Sequence, residues 1–302
     1  MKSIGIIGVG FVGGAIAEGF KHYTSVKVYD KNESRSCDSI EHTLMQDIVF
    51  VCVPTPMSLK DGGKCDLSMV EEVFEKARQV KTESLLVIKS TVEIGTTNKL
   101  QKKYSELNIV HSPEFLTART AKLDFITPSR NIIGFSSKFT NLDGRPGLLK
   151  DLYEERFPGC QCLLMSSDES ETVKYIANCF FALKISYFNQ VKLLCDKLEL
   201  NWDLILNGVL TDGRIGVSHY QVPGHDGKLG FGGTCFPKDI NSLIVTMSNA
   251  GVDPTILKSA WNLNLKVRPE KDWENFSSAV SNKDFFTKDF GMDKSGCGHD
   301  HV

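Results

Sequence analysis

The chain has 302 residues, 41% of them hydrophobic and 24% charged, the proportions of a globular protein long enough for about two domains. Its formal net charge of −2 excludes a strong basic field, so neither nucleic acid nor an anionic membrane surface is an expected partner. No apolar run reaches the roughly 18 residues that span a bilayer, and the N-terminal one, Ile4–Ile7, is too short for a secretory signal. Nine cysteines, an odd number scattered through apparent strands and helices, read as free thiols in a reducing cytoplasm.

Short, mostly apolar runs open the chain. Ile4–Ile7, Val26–Tyr29, Ile48–Val53, Leu85–Ile88, Ile109–Val110 and Asn131–Phe135 read as strands, with Leu163–Met165 as one more. They alternate with helical patterns, which predicts an α/β fold: a doubly wound parallel sheet covered by helices on both faces. Only a minimal connection fits between Asp30 and Ile48. From Asp168 the pattern turns helical. Glu169–Leu200 contains neither proline nor glycine and is expected as one long helix. Trp202–Asn207, Pro237–Asn249 and Pro254–Val267 read as shorter ones. Leu210–Gly233 is rich in glycine and polar residues and has no period, the mark of a long loop that is functional or mobile. After Pro269 the chain is polar, and Met292–Val302 is expected to be disordered. The expected division is a dinucleotide-binding domain over residues 1–166, a helical domain over 167–268 and a tail over 269–302.

Gly8-Val9-Gly10-Phe11-Val12-Gly13 follows the first strand and opens a helix. Gly8 permits the tight turn, Gly10 the approach of a pyrophosphate, and Gly13 close packing of helix on strand. The pyrophosphate sits at the helix N-terminus beside Phe11 and Val12. Asp30 ends the second strand, twenty residues beyond Gly10. A carboxylate there accepts from ribose hydroxyls and repels a 2′-phosphate, which points to NAD rather than NADP. Val53-Pro54-Thr55-Pro56 and Ser90-Thr91-Val92 end two further strands. Ser112-Pro113-Glu114-Phe115-Leu116 follows a third. All three lie at carboxyl ends of parallel strands, where open α/β sheets bind ligands.

The most telling run is Gly230-Phe231-Gly232-Gly233-Thr234-Cys235-Phe236-Pro237-Lys238-Asp239. Its glycines let another molecule approach the backbone next to the sulfur. Pro237 suits the first turn of a helix, which puts Cys235 at the helix N-terminus, where the dipole favours thiolate. Asp239 follows one turn later. A thiol beside a carboxylate, in a chain with a dinucleotide fingerprint, suggests oxidation through a covalent thioester. On the long helix Lys174 and Asn178 are four residues apart and share a face that continues into Phe181 and Ile185. A lysine and an asparagine leading into an apolar stripe need partners, which a substrate site supplies.

With these motifs, residues 1–268 resemble the nucleotide-sugar dehydrogenase family of the UDP-glucose 6-dehydrogenase type. The resemblance implies that Thr91, Glu114, Cys235 and Asp239 match the family's catalytic threonine, glutamate, cysteine and aspartate. It implies cofactor contacts from Val53, Pro54, Thr55, Ser90 and Thr91. Substrate contacts would come from Glu114, Phe115, Leu116, Lys174, Asn178 and Gly232. Lys174 and Asn178 would stabilise developing oxyanions, and a water held by Asp239 and Lys174 would take the alcohol proton. Thr211-Asp212-Gly213-Arg214-Ile215-Gly216 resembles the segment whose arginine reaches the neighbouring subunit's substrate. The long helix would form the core of a homodimer.

The implied reaction is an NAD-dependent four-electron oxidation of a nucleotide-sugar primary alcohol to the uronic acid. Three departures stand beside it. Ala118 replaces the second glutamate of the family's Pro-Glu-Phe-Leu segment. His219–Lys228 is longer than the usual loop. The family's second Rossmann-like domain, which holds much of the nucleotide, has no counterpart in residues 269–302, so a short form of the family is expected. Two other readings stay open: a two-electron hydroxyacid-type dehydrogenase with Cys235 idle, and a catalytically silent NAD-binding subunit. Cys160 and Cys162 read as packing residues, and Cys297-Gly298-His299-Asp300-His301 as a disordered tail rather than a metal site.

Overall fold

Strands form where the sequence is β-branched and apolar, and each helix starts at a turn or loop that the next apolar period follows. The computed structural model describes residues 2–139 and 144–281. In chain order the strands are β1 (Ile4–Ile7), β2 (Val26–Tyr29), β3 (Ile48–Val51), β4 (Met57–Ser58), β5 (Lys64–Cys65), β6 (Leu85–Ile88), β7 (Asn108–His111), β8 (Asn131–Phe135), β9 (Cys162–Ser166) and β10 (Val280–Ser281). The helices are α1 (Phe11–Phe20), α2 (Ile40–Thr43), α3 (Ser68–Gln79), α4 (Thr96–Lys103), α5 (Ala121–Ile126), α6 (Arg145–Arg156), α7 (Ser167–Lys197), α8 (Trp202–Leu210), α9 (Phe236–Asn249) and α10 (Thr255–Val267). They fall into two compact units, and the division lies inside α7, between Lys174 and Tyr175.

The first unit holds the residues up to Thr55 and Leu67–Lys174. Its sheet has seven strands in the order β2-β1-β3-β6-β7-β8-β9. The chain leaves β1 for β2 on one side and then crosses to β3 on the other, so the strand order reverses at β1. Ligands of doubly wound folds bind at such a point. All neighbours are parallel except β7 and β8, which run antiparallel because the chain returns without a crossover. Alternate residues of each central strand go to opposite faces. Ile4, Ile6, Phe50 and Val87 join the core under α1, α5 and α6, while Ile7, Val49, Val51 and Leu86 join the one under α3 and α4. Both faces are dry, which is why these strands read as unbroken apolar runs.

The second unit holds Pro56–Asp66 and the described residues from Tyr175 onward. A hairpin of β4 and β5 is extended by β10, parallel to β4. One core gathers Phe188, Cys195, Trp202 and Val222; another gathers Met57, Trp273, Ala279 and Val280. Trp273 is 1% exposed, so the polar segment after Pro269, expected as a tail, is folded as far as Ser281. A single large aromatic outweighs the polarity of its neighbours there. Met292–Val302 and the Cys297–His301 cluster lie outside the described residues.

Among the described residues no helix is long and apolar enough to cross a membrane. Among the described residues seven cysteines carry free thiols, but Cys37 is disulfide-bonded, which departs from the expectation of free thiols throughout. Cys37 is exposed in the connection after β2.

Candidate active site

The glycine turn forms as its spacing requires. Gly8 has φ +91°, a conformation that side chains rarely adopt. A Cβ on Gly13 would stand 1.9 Å from the Gly8 carbonyl oxygen, so only glycine lets α1 sit this close to β1. Around Gly10 nothing lies within 4 Å of that position. Gly10 is the N-cap of α1 and gives no side-chain cap, so the first N–H groups of the helix face an open approach. A dinucleotide pyrophosphate fits this turn. Asp30 follows β2 and accepts from the Val9 N–H at 2.6 Å and from the Asn32 N–H at 2.8 Å. The carboxylate therefore braces the glycine turn. Behind it, the Thr55 hydroxyl donates to the Thr91 carbonyl at 2.6 Å, and Ser90 donates to the Val53 carbonyl at 2.7 Å. These bonds tie together the loops after β3 and β6.

The loop after β7 turns Glu114 onto the first turns of α7. Lys174 donates to both the Glu114 carboxylate and its carbonyl oxygen, each at 2.7 Å. The Leu116 N–H donates to the other carboxylate oxygen at 2.7 Å. The Lys174 and Glu114 side chains are 4% and 11% exposed. Burial would push the Glu114 carboxyl up, but Lys174, the Leu116 N–H and the Lys89 charge outweigh it and hold the carboxyl below the ordinary glutamate range. Lys89 follows β6 and is buried, donating to the Pro113 carbonyl at 3.1 Å. Burial lowers its pKa to about 8, against the pull of Cys52 and Glu114. A cavity of about 320 Å³ opens here, lined by Val12, Lys89, Glu114, Phe115, Leu116 and Arg130 among others. The Arg130 guanidinium lies 4.0 Å from the centre of the Phe115 ring.

In the second unit Cys235 is the N-cap of α9, with Pro237 in the first turn. It is exposed, whereas Asp239 is 1% exposed. Asn178 donates to one Asp239 oxygen at 2.5 Å and Lys238 to the other at 2.5 Å. Burial works against the Lys238 charge, but Asp239, then Cys235 and Cys65, raise its pKa above the ordinary lysine value. Burial pushes the neighbouring Cys179 thiol well up, away from the thiolate form. Arg214 stands apart from this cluster. Its side chain is 90% exposed, and its guanidinium forks onto Asp212 two residues away. The glycines before Cys235 divide by role. Gly233 has φ +70° and open space around it, but the Cβ position of Gly232 is filled by Arg268 and Asp272.

Two parts of the chain match known family models. Residues 27–156 match the UDP-glucose/GDP-mannose dehydrogenase family, NAD binding domain, and residues 168–266 match the central domain of the same family. The chain belongs to the UDP-glucose/GDP-mannose dehydrogenase family. NAD is accordingly the cofactor of the family's N-terminal domain. It is 35% identical over 229 residues to the UDP-glucose 6-dehydrogenase of Rickettsia prowazekii (strain Madrid E), covering 74% of this chain and 50% of that protein. The chain thus spans about half the length of the curated relatives it matches. Among solved structures, a UDP-glucose dehydrogenase from the hyperthermophilic archaeon Pyrobaculum islandicum superposes with TM-score 0.76 at 29% identity, over 88% of this chain and 68% of that one. A 3-hydroxyisobutyrate dehydrogenase from Mycobacterium tuberculosis shares the fold, with TM-score 0.69 at 13% identity, over 90% of this chain and 95% of that one.

For this member of the UDP-glucose/GDP-mannose dehydrogenase family, sequence reading missed two lysines. Lys238 stands inside the cysteine run and pairs with Asp239. Lys89 follows an apolar strand, and a charge at that place was the available signal. The residues that hold the glycine loop, Asn189, Asn264, Arg268 and Asp272, gave no local signal, because they come from distant parts of the chain.

Proposed function

We propose that the chain oxidises the primary alcohol of a nucleotide sugar, of the UDP-glucose class, to the uronic acid. Cys235 carries the reading: an exposed thiol capping α9, one turn from a buried carboxylate that Asn178 and Lys238 hold in place. NAD, when bound, supplies the hydride acceptor, and two equivalents are consumed per substrate. Asp239 takes the alcohol proton through a water as the first hydride leaves. The Cys235 thiolate then adds to the aldehyde carbon, and the resulting thiohemiacetal oxyanion collapses as the second hydride leaves, forming a thioester. Water attacks the thioester carbonyl, the C–S bond breaks, and acid and thiol are released. Glu114, held ionised by Lys174, handles that water, and Ala118 leaves it without a second carboxylate. Lys174 spends two of its three N–H groups on Glu114, and the third is directed to a substrate oxygen. Asn178 offers its amide to the developing oxyanions.

Residues 1–166 serve as the NAD-binding domain and 167–268 as the substrate and dimerisation domain. The partner is a second copy, met along α7, and Arg214, held at an exposed loop, serves the partner's substrate. Seven of the eight described cysteines are free thiols, which supports a cytoplasmic enzyme, while the Cys37 disulfide stands against it.

Counting NADH per sugar consumed tests the reading. Two per sugar, with uronic acid as product, is expected. One per substrate would instead assign a two-electron dehydrogenase in which Cys235 is idle, a reading that the fold shared with the 3-hydroxyisobutyrate enzyme keeps in view. No turnover with any nucleotide sugar would leave an NAD-binding subunit.

A further inference from the structure

The loop before Cys235 is held by one buried arginine. Arg268, at the end of α10, is 3% exposed in its side chain and forms three separate bonds. Its Nε donates to Asp272 Oδ1 at 2.6 Å, its Nη2 to Asp226 Oδ2 at 2.5 Å, and its Nη1 to the Leu229 carbonyl at 3.2 Å. The second Asp272 oxygen accepts the Gly233 N–H at 3.2 Å. A Cβ on Gly232 would come within 2.4 Å of both Arg268 Nη2 and Asp272 Oδ1, so the ion pair lies flat against this backbone. Gly232 is a glycine because an arginine passes there.

Asp226 brings a second element into the clamp. It belongs to the long loop His219–Lys228, which closes on itself through the Gly224 N–H donating to the Lys228 carbonyl at 2.8 Å. The other end of that loop also meets the cysteine segment. The His219 ring stacks on Phe181 at 4.0 Å between centroids and stands edge-on to Phe236, the residue after Cys235, at 5.7 Å. The loop therefore straps the cysteine turn at two places, and Arg268 is the joint.

We propose that Arg268 is a positioning residue for Cys235: with Asp226 and Asp272 it clamps the Gly232–Gly233 turn so that the thiol stays at the N-terminus of α9. The consequence for catalysis rests on Cys235 being the nucleophile, but the position itself can be read without any sugar. The thiol is already exposed, so access does not limit its reaction with a small alkylating agent. The rate then follows the thiolate fraction, which the helix N-terminus supports.

The test is the pH profile of iodoacetamide alkylation of the full chain, followed on the Cys235 peptide by mass spectrometry. Arg268→Lys keeps the charge but loses the fork. Asp226→Ala cuts the strap at a partly exposed carboxylate and leaves the core intact. Both should move the profile up by about half a pH unit, slowing alkylation near neutrality about threefold, with the high-pH plateau unchanged. Removing the Asp226 charge alone would favour thiolate and move the profile down, so the sign separates position from electrostatics. A profile that stays in place in both variants, or moves down in Asp226→Ala, overturns the proposal. Failure of nucleotide-sugar turnover would overturn the function and leave this result standing.

Discussion

One cysteine and one lysine give the tests that are simplest at single positions. Cys235→Ser should retain some of the first oxidation and release no acid, because a hydroxyl is a far weaker nucleophile than a thiolate. Mass spectrometry of the wild type in turnover should show a substrate adduct on the Cys235 peptide; full acid production by the serine variant would refute the covalent path. Lys89 gives a prediction on stability. Its pKa falls from the ordinary 10.5 to about 8 in the folded chain. The folded state thus binds fewer protons than the unfolded one between these values, so stability rises with pH across that window. Below it the cost of the buried charge is fully present. Lys89→Met should flatten this rise, which amounts to about 3 kcal/mol in all, in urea unfolding from pH 7.5 to 10.5. An equal slope in wild type and variant would show that Lys89 is not the group responsible.

At the scale of elements, side chains from remote segments finish what the backbone leaves open. α4 begins at Gly95, which offers no capping side chain. Glu171 of α7 caps it instead, accepting from the Gly95 N–H at 2.6 Å and from the Thr97 N–H and hydroxyl at 2.8 and 2.6 Å. Burial raises that carboxyl to about 7 despite the three donors. Glu171→Ala leaves buried donors without an acceptor and should cost about 1–3 kcal/mol in chemical denaturation; a change below a few tenths would mean that water replaces the carboxylate. Much of the fold was legible because period and chemistry agree: β1, β2, β6 and β8 begin and end where their apolar runs do. The helix placing Cys235 was legible from Pro237, and the glycine turn from its spacing. What stayed hidden is non-local. Nothing near Gly95 announces Glu171, and nothing in the glycine run announces Arg268, since such partners exist only once the chain has folded. The antiparallel turn of β8 was hidden too, because strand direction leaves no mark on an apolar run.

At the scale of the whole molecule, α7 has 31 residues and a length of about 46 Å at the usual rise. It leaves Ile176, Phe180, Tyr187 and Leu194 between 56% and 64% exposed, four residues of one apolar stripe. Such a row is a cost in water unless it is covered. A two-fold dimer along this helix would cover it with its own copy. Sedimentation should give twice the chain mass, and mixing inactive Cys235→Ala with inactive Arg214→Ala should restore activity, because the mixed dimer holds one intact site. A fully active monomer would reject both. The tryptophans offer a way to watch such events. All three, Trp202, Trp261 and Trp273, belong to the second unit, and two of them sit in its cores. Emission excited at the red edge of the indole band is therefore blind to the seven-stranded sheet, whereas far-ultraviolet dichroism sees both units. Overlaying the two signals in one urea titration turns an accident of composition into an optical label, and any gap between the curves measures how independently the halves melt.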